Sequence, residues 1–268
     1  FALTQSAGLF RNDTLSGTGW VFVGEDLPLS THPLPVLSPD DPLASRETML
    51  SDTLVASSNT GLPEAENLLS MVFAPSTPST VYLGTGGSGI YKSLNGGRDW
   101  FFSGLETLII RSVAVDPLNA NIVYASTNGS GYIRASYDGG GSWQALTMYA
   151  PAVYSVAVAS DGSGVLYLGT SQGLLRYTPA TGWTTTGLSG MAVPLVTTNL
   201  LHPGVIFAGT GDGAYYSLDG GNTWQYGPAE LDGKTVQSIT CDPLEPHLFY
   251  FGTKTNGLLQ AYLDLNGK

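Results

Sequence analysis

Apolar residues run along the chain in short alternating stretches such as Ser112-Val113-Ala114-Val115, Ser155-Val156-Ala157-Val158 and Ser238-Ile239-Thr240-Cys241, each cut off by Pro, Gly, Asp or Asn. A period of two over so few residues predicts strands, and the breakers predict tight turns. A second apolar run follows each first one: Val81-Tyr82-Leu83-Gly84-Thr85, Val123-Tyr124-Ala125-Ser126-Thr127, Leu166-Tyr167-Leu168-Gly169-Thr170, Ile206-Phe207-Ala208-Gly209-Thr210 and Phe249-Tyr250-Phe251-Gly252-Thr253. The repeat length is about 40 to 44 residues. Turns such as Asp116-Pro117-Leu118-Asn119 and Asp242-Pro243-Leu244-Glu245 join the two runs, with Pro setting φ and Asp bonding the local backbone. A Gly-rich turn and a third strand, as in Gly89-Ile90-Tyr91-Lys92-Ser93, come next, and a fourth strand begins at Trp.

Three turns between third and fourth strands share one pattern: Ser93-Leu94-Asn95-Gly96-Gly97-Arg98-Asp99-Trp100, Ser136-Tyr137-Asp138-Gly139-Gly140-Gly141-Ser142-Trp143 and Ser217-Leu218-Asp219-Gly220-Gly221-Asn222-Thr223-Trp224. Asp or Asn accepts backbone N–H groups, glycines take positive φ, and Trp anchors the turn on its sheet. Tyr177-Thr178-Pro179-Ala180-Thr181-Gly182-Trp183 keeps Trp and loses Asp. The pattern resembles the Asp-box, or BNR repeat, Ser-x-Asp-x-Gly-x-x-Trp. Four short strands per repeat predict one all-β domain over 1–268, a β-propeller of six four-stranded blades, with seven as the alternative count. The expected blades are 6–60, 61–105, 106–148, 149–188, 189–230, and 231–268 completed by residues 1–5.

The resemblance covers about residues 68–262 and takes in sialidases, xyloglucanases, sortilin-type receptor domains and the propeller assembly factors of photosystem II. Gly19-Trp20-Val21-Phe22-Val23-Gly24 also resembles a strand of those assembly factors. Such turns mark a fold rather than a chemistry, so Ser93, Asn95, Gly97, Trp100, Ser136, Asp138, Gly140, Trp143, Ser217, Asp219, Gly221 and Trp224 are read as structural. The tail Tyr262-Leu263-Asp264-Leu265-Asn266-Gly267 stops before a Trp, and Phe1-Ala2-Leu3-Thr4 resembles the start of a fourth strand. The N-terminal residues are therefore expected to supply the outer strand of the last blade and close the ring. The first unit is long, Gly24 to Gly84, and implies a Pro-rich insertion at about 25–52.

Composition narrows the function. The chain has 268 residues, 10 Lys and Arg against 21 Asp and Glu, and only 12% charged residues. So few cations leave no electrostatic footprint for nucleic acid or an anionic membrane. No run approaches a membrane span, and a chain that begins at Phe1 reads as a trimmed, exported form, placed outside the cell, at its surface or in the periplasm. The single Cys241, in an apolar run, reads as a buried thiol.

Little of the sequence points to catalysis. Sialidase chemistry needs three clamping arginines, a Tyr–Glu nucleophile and an acid Asp, and the arginines present, such as Arg98, Arg134 and Arg176, fall in box turns or third strands. Xyloglucanases work in a cleft between two propellers, which one ring lacks. The loops opposite the boxes carry Glu25, Asp26, Glu64, Glu66, Glu106, Asp212, Glu230 and Asp232, with Glu64 and Glu66 the best carboxylate pair. Tyr149 and Tyr226 are the exposed aromatics suited to stacking on a sugar or seating a partner. His32, His202 and His247 are read as turn residues that do not cluster, no metal or cofactor is implied, and Gly84 to Gly89 lacks the Lys and helix of a phosphate loop.

The expectation is thus a non-catalytic exported scaffold or recognition module that binds a protein partner or larger assembly through its loop faces. The alternative is a carbohydrate-active protein, a glycan-binding module or a glycoside hydrolase, using the acidic loops.

Overall fold

The structure, a computed structural model, describes residues 61–62, 67–128, 133–146, 151–242, 245 and 247–264, together with the backbone of three N-terminal strands. These three, β1 (Ala2–Thr4), β2 (Gly8–Asn12) and β3 (Trp20–Phe22), form one sheet. The repeat then builds five antiparallel meanders. Blade one holds β4 (Leu68–Ala74), β5 (Thr77–Thr85), β6 (Ile90–Ser93) and β7 (Phe101–Phe102). Blade two holds β8 (Ile110–Asp116), β9 (Asn119–Thr127), β10 (Ile133–Ser136) and β11 (Gln144–Leu146). Blade three holds β12 (Val153–Val158), β13 (Leu166–Thr170), β14 (Gly173–Thr178) and β15 (Gly182–Thr186). Blade four holds β16 (Leu195–Thr198), β17 (Ile206–Thr210), β18 (Gly213–Ser217) and β19 (Gln225–Tyr226). Blade five holds β20 (Val236–Cys241), β21 (Leu248–Thr253) and β22 (Leu258–Tyr262). The architecture is an all-β propeller.

Five blades, not six or seven, stand in the described residues. The expected closure by the N-terminus is also overturned: Ala2, Leu3 and Thr4 pair with Phe10, Leu9 and Gly8 instead of with β22. A hairpin partner a few residues away costs little loop entropy, whereas the last blade is reachable only after the rest of the ring has assembled. The Pro-rich insertion lies outside the described residues.

Blades stack face to face, so the predicted alternation gives way to continuous burial in strands such as β8, where Val113, Ala114 and Val115 are all buried. Four of the five core clusters each span one seam. Tyr82 and Ile90 of blade one pack with Ile110, Val113 and Val123 of blade two, and Phe207 of blade four packs with Phe249 and Phe251 of blade five. The repeat glycines mark the same seams. A side chain at Gly84 would meet Ile110 Cγ2 at 2.7 Å, and one at Gly169 would overlap the Val193 carbonyl.

Polar staples run through this apolar stack. Ser70 Oγ accepts the Val113 N–H (3.0 Å), Ser112 Oγ the Val156 N–H (3.2 Å) and Ser155 Oγ the Val196 N–H (2.9 Å), each tying one inner strand to the next. The Thr that ends four of the five second runs closes the following turn: Thr85, Thr170, Thr210 and Thr253 donate Oγ1–H to the carbonyls of Gly89, Gly173, Gly213 and Gly257 at 2.8–3.0 Å.

Candidate functional site

The three box turns share one hydrogen-bond plan. Ser136 Oγ accepts the Gly140 N–H (2.7 Å) and donates to Asp138 Oδ1 (2.7 Å), which also accepts the Ser142 N–H (2.9 Å). Ser217, Asp219, Gly221 and Thr223 repeat this, and Ser93, Asn95, Gly97 and Asp99 do so with an amide oxygen in place of the carboxylate. Hydrogen bonds from Ser142 and Ser136 hold Asp138 far below the usual carboxylate range, and those from Thr223 and Ser217 bring Asp219 down to about 2. Carboxylates so saturated with donors make poor proton shuttles.

The boxes also face the preceding blade. Trp143 Nε1–H donates to the Ser103 carbonyl (2.6 Å) of blade one, while Trp100 Nε1–H donates to Gly97 in its own turn (3.2 Å). Tyr82 Oη reaches the Gly139 carbonyl (3.1 Å) and Tyr167 Oη the Gly220 carbonyl (3.1 Å), so a tyrosine of one blade grips the box of the next. Burial and the nearby Asp138 push Tyr82 up to about 12.

An axial cavity of about 430 Å³ lies on the box side of the ring. Its walls are the later halves of the five inner strands: Val72 and Phe73, Val113 to Val115, Val156 to Val158, Val196 to Thr198, and Ile239 to Cys241. Its rim is made by the first-to-second-strand turns, with Pro75, Pro117, Leu200, Leu201 and Asp242. Phe73 (38% exposed), Leu200 and Leu201 (both 56%) present apolar surface to solvent there. The lining holds one carboxylate, Asp242, whose Oδ2 accepts Tyr250 Oη–H (3.2 Å) and Oδ1 the Glu245 N–H (3.1 Å). A strand-by-strand reading could not find this cavity, because each blade contributes only a few of its walls.

The sequence-predicted acids behave differently. Glu64, Glu66 and Tyr149, like Glu25 and Asp26, lie outside the described residues. Glu106 is exposed in the connection from β7 to β8, while Asp212, Glu230 and Asp232 are exposed in loops of blades four and five. Of these, two are brought together: Tyr226 Oη donates to the Asp212 carbonyl (2.6 Å) and stands 3.0 Å from Asp232 Oδ1. Desolvation and the Asp232 contact raise Tyr226 to about 12. Lys234 Nζ donates to the Glu230 carbonyl, which holds the short 3₁₀ turn at Ala229–Leu231.

Two histidines read as unclustered do meet. His202 and His247 occupy the same turn of adjacent blades, and the ring brings their imidazoles to 6.0 Å. His247 Nδ1 lies 3.1 Å from the Leu263 carbonyl, and His202 Nδ1 is buried without a hydrogen-bond partner among the described residues. No group of three or more His, Cys, Asp or Glu among the described residues is placed to hold a metal ion. No helix there is long and apolar enough to cross a membrane.

No protein-family model and no curated protein sequence matches the chain. Solved structures do match in fold. The GH74 enzyme of Niastella koreensis superposes with a TM-score of 0.59 at 23% identity, over 74% of this chain and 36% of that one. The extracellular domain of the putative one component system BT4673 from B. thetaiotaomicron gives 0.58 at 16%, over 76% and 28%. YCF48 bound to D1 peptide gives 0.50 at 15%, over 75% and 79%. The chain spans about a third of the GH74 chain it matches, and at these identities the likeness is one of propeller fold.

Proposed function

We propose that the protein is a non-catalytic, exported recognition module that holds a protein partner, or a site on a larger assembly, against the box-side face of its propeller. The axial cavity carries this reading. Its walls are mostly Val, Ala and Ile, its rim exposes large apolar residues, and its lining holds one carboxylate where glycoside hydrolysis uses two. The three saturated box turns support placement in the Asp-box superfamily, in which the box is a device of the fold. A peptide-bound propeller and an extracellular domain among the fold neighbours support recognition and export.

A carbohydrate-active role is the second reading, and specific observations favour it too. GH74 enzymes, one of them the xyloglucanase of Xanthomonas campestris, share the fold. Phe101, Phe102 and Tyr137 are more than half exposed and offer stacking faces.

One experiment separates the two. A photo-reactive amino acid at exposed Leu201, on the box side, should cross-link a defined protein from the native source, while the same group at Glu106, on the other face, should not. Release of reducing sugar from a β-glucan panel, abolished by Asp212→Asn or Asp232→Asn, would replace the recognition reading with the hydrolase.

A further inference from the structure

We infer that the segment received at the axial cavity is cationic and amphipathic: a large apolar side chain entering the cavity, flanked by Lys or Arg. This deepens the recognition reading and rests on it. The cavity volume of about 430 Å³ lies within the range of pockets that bury most of a compact apolar group. Blades one to three supply a wall of aliphatic side chains, Val72, Val113, Val115, Val156 and Val158, none of which can pair with a buried polar side chain. The rim continues that surface outwards through Phe73, Leu200 and Leu201.

Charge supplies the second half. The turns that ring the mouth carry Asp116, Asp161, Asp242 and Glu245, and not one Lys or Arg; their only other ionisable side chains are His202 and His247. Asp161 and Glu245 are exposed, and Asp161 is held in its charged form by Ser163. Farther out, Asp138 and Asp219 add two carboxylates that stay ionised because their own turns saturate them. Lys92, which donates to the Gly139 carbonyl (2.9 Å), and Arg176, which donates to Asn222 Oδ1 (3.3 Å), keep their charges and offset these two outer carboxylates, so the excess of negative charge lies at the mouth itself. A low-dielectric mouth ringed by one sign of charge draws the opposite sign and repels its own. An acidic or purely polar segment meets neither the cavity nor the rim.

The test uses the whole chain, immobilised, and a random-peptide display library. Selected peptides should share a large apolar residue with Lys or Arg beside it. Synthetic versions with the apolar residue changed to Ser, or with Lys changed to Glu, should bind at least about tenfold more weakly, and binding should weaken with added salt. Thr240 lines the cavity and is exposed, so Thr240→Trp fills the space without disturbing a packed seam; it should weaken binding about tenfold. The double variant Asp161→Asn/Glu245→Gln should reduce the salt dependence. Circular dichroism melts confirm that both variants fold. An acidic or polar consensus, no selected peptide at all, or binding that Thr240→Trp leaves unchanged overturns the inference. A partner cross-linked at Leu201 yet indifferent to Thr240→Trp would defeat this inference alone and leave the recognition reading standing.

Discussion

Ser155→Ala tests the claim that polar staples lock one blade to the next. Ser155 and Val196 are 5% and 4% exposed, and the Ser155 hydroxyl accepts the Val196 N–H at 2.9 Å across the seam between blades three and four. Alanine keeps the shape of the strand and removes the acceptor, leaving a buried backbone donor without a partner. Such an orphaned group costs about 1–3 kcal/mol. For a domain of this size that corresponds to a fall in melting temperature of roughly 2–12 °C. Ser112→Ala, whose bond to the Val156 N–H is longer at 3.2 Å, should cost less. Urea unfolding followed by tryptophan fluorescence gives the magnitude, and amide hydrogen exchange gives the location. Exchange at Val196 should accelerate in Ser155→Ala more than exchange at Leu168, which sits inside blade three and pairs with Leu175 and Val156. Unchanged stability, or equal acceleration at both amides, would refute the staple.

Four further outcomes follow from the same geometry. Gly140 has φ +89°, and a Cβ there would overlap Ser103 Oγ, so Gly140→Ala should destabilise by at least about 1–3 kcal/mol in thermal melts. Tyr167→Phe removes the hydroxyl that grips Gly220 and should lose about 0.5–1.5 kcal/mol in urea, since Phe207 shows that the ring alone fits the repeat. Ser126 stands where other blades have Gly and its buried Oγ has no partner among the described residues, so Ser126→Ala should raise the melting midpoint. Asp219, at about 2 in the folded chain against 3.8 when free, contributes stability that is full above pH 4 and disappears as pH falls towards 2. Asp219→Asn should therefore flatten that limb of an acid unfolding curve while leaving the neutral end of its slope unchanged.

The sequence by itself determined the strand pattern, the repeat length, the box turns and the propeller class, because all of these are local. Alternation, Gly and Pro placement and side-chain-to-backbone bonds act within a few residues, and five of the expected units appear where the motifs put them. What the ring brings together, only the tertiary structure decided. The pairing of β1 with β2 went to the nearer of two competing partners. Tyr82 gripping Gly139, Ser155 meeting Val196 and His202 facing His247 each join residues about one repeat or more apart, and such contacts depend on blade rotation and seam width. The axial cavity depends on them most of all. Its five walls come from five inner strands, and its acidic, apolar mouth is a property of their sum, to which each turn adds one or two side chains.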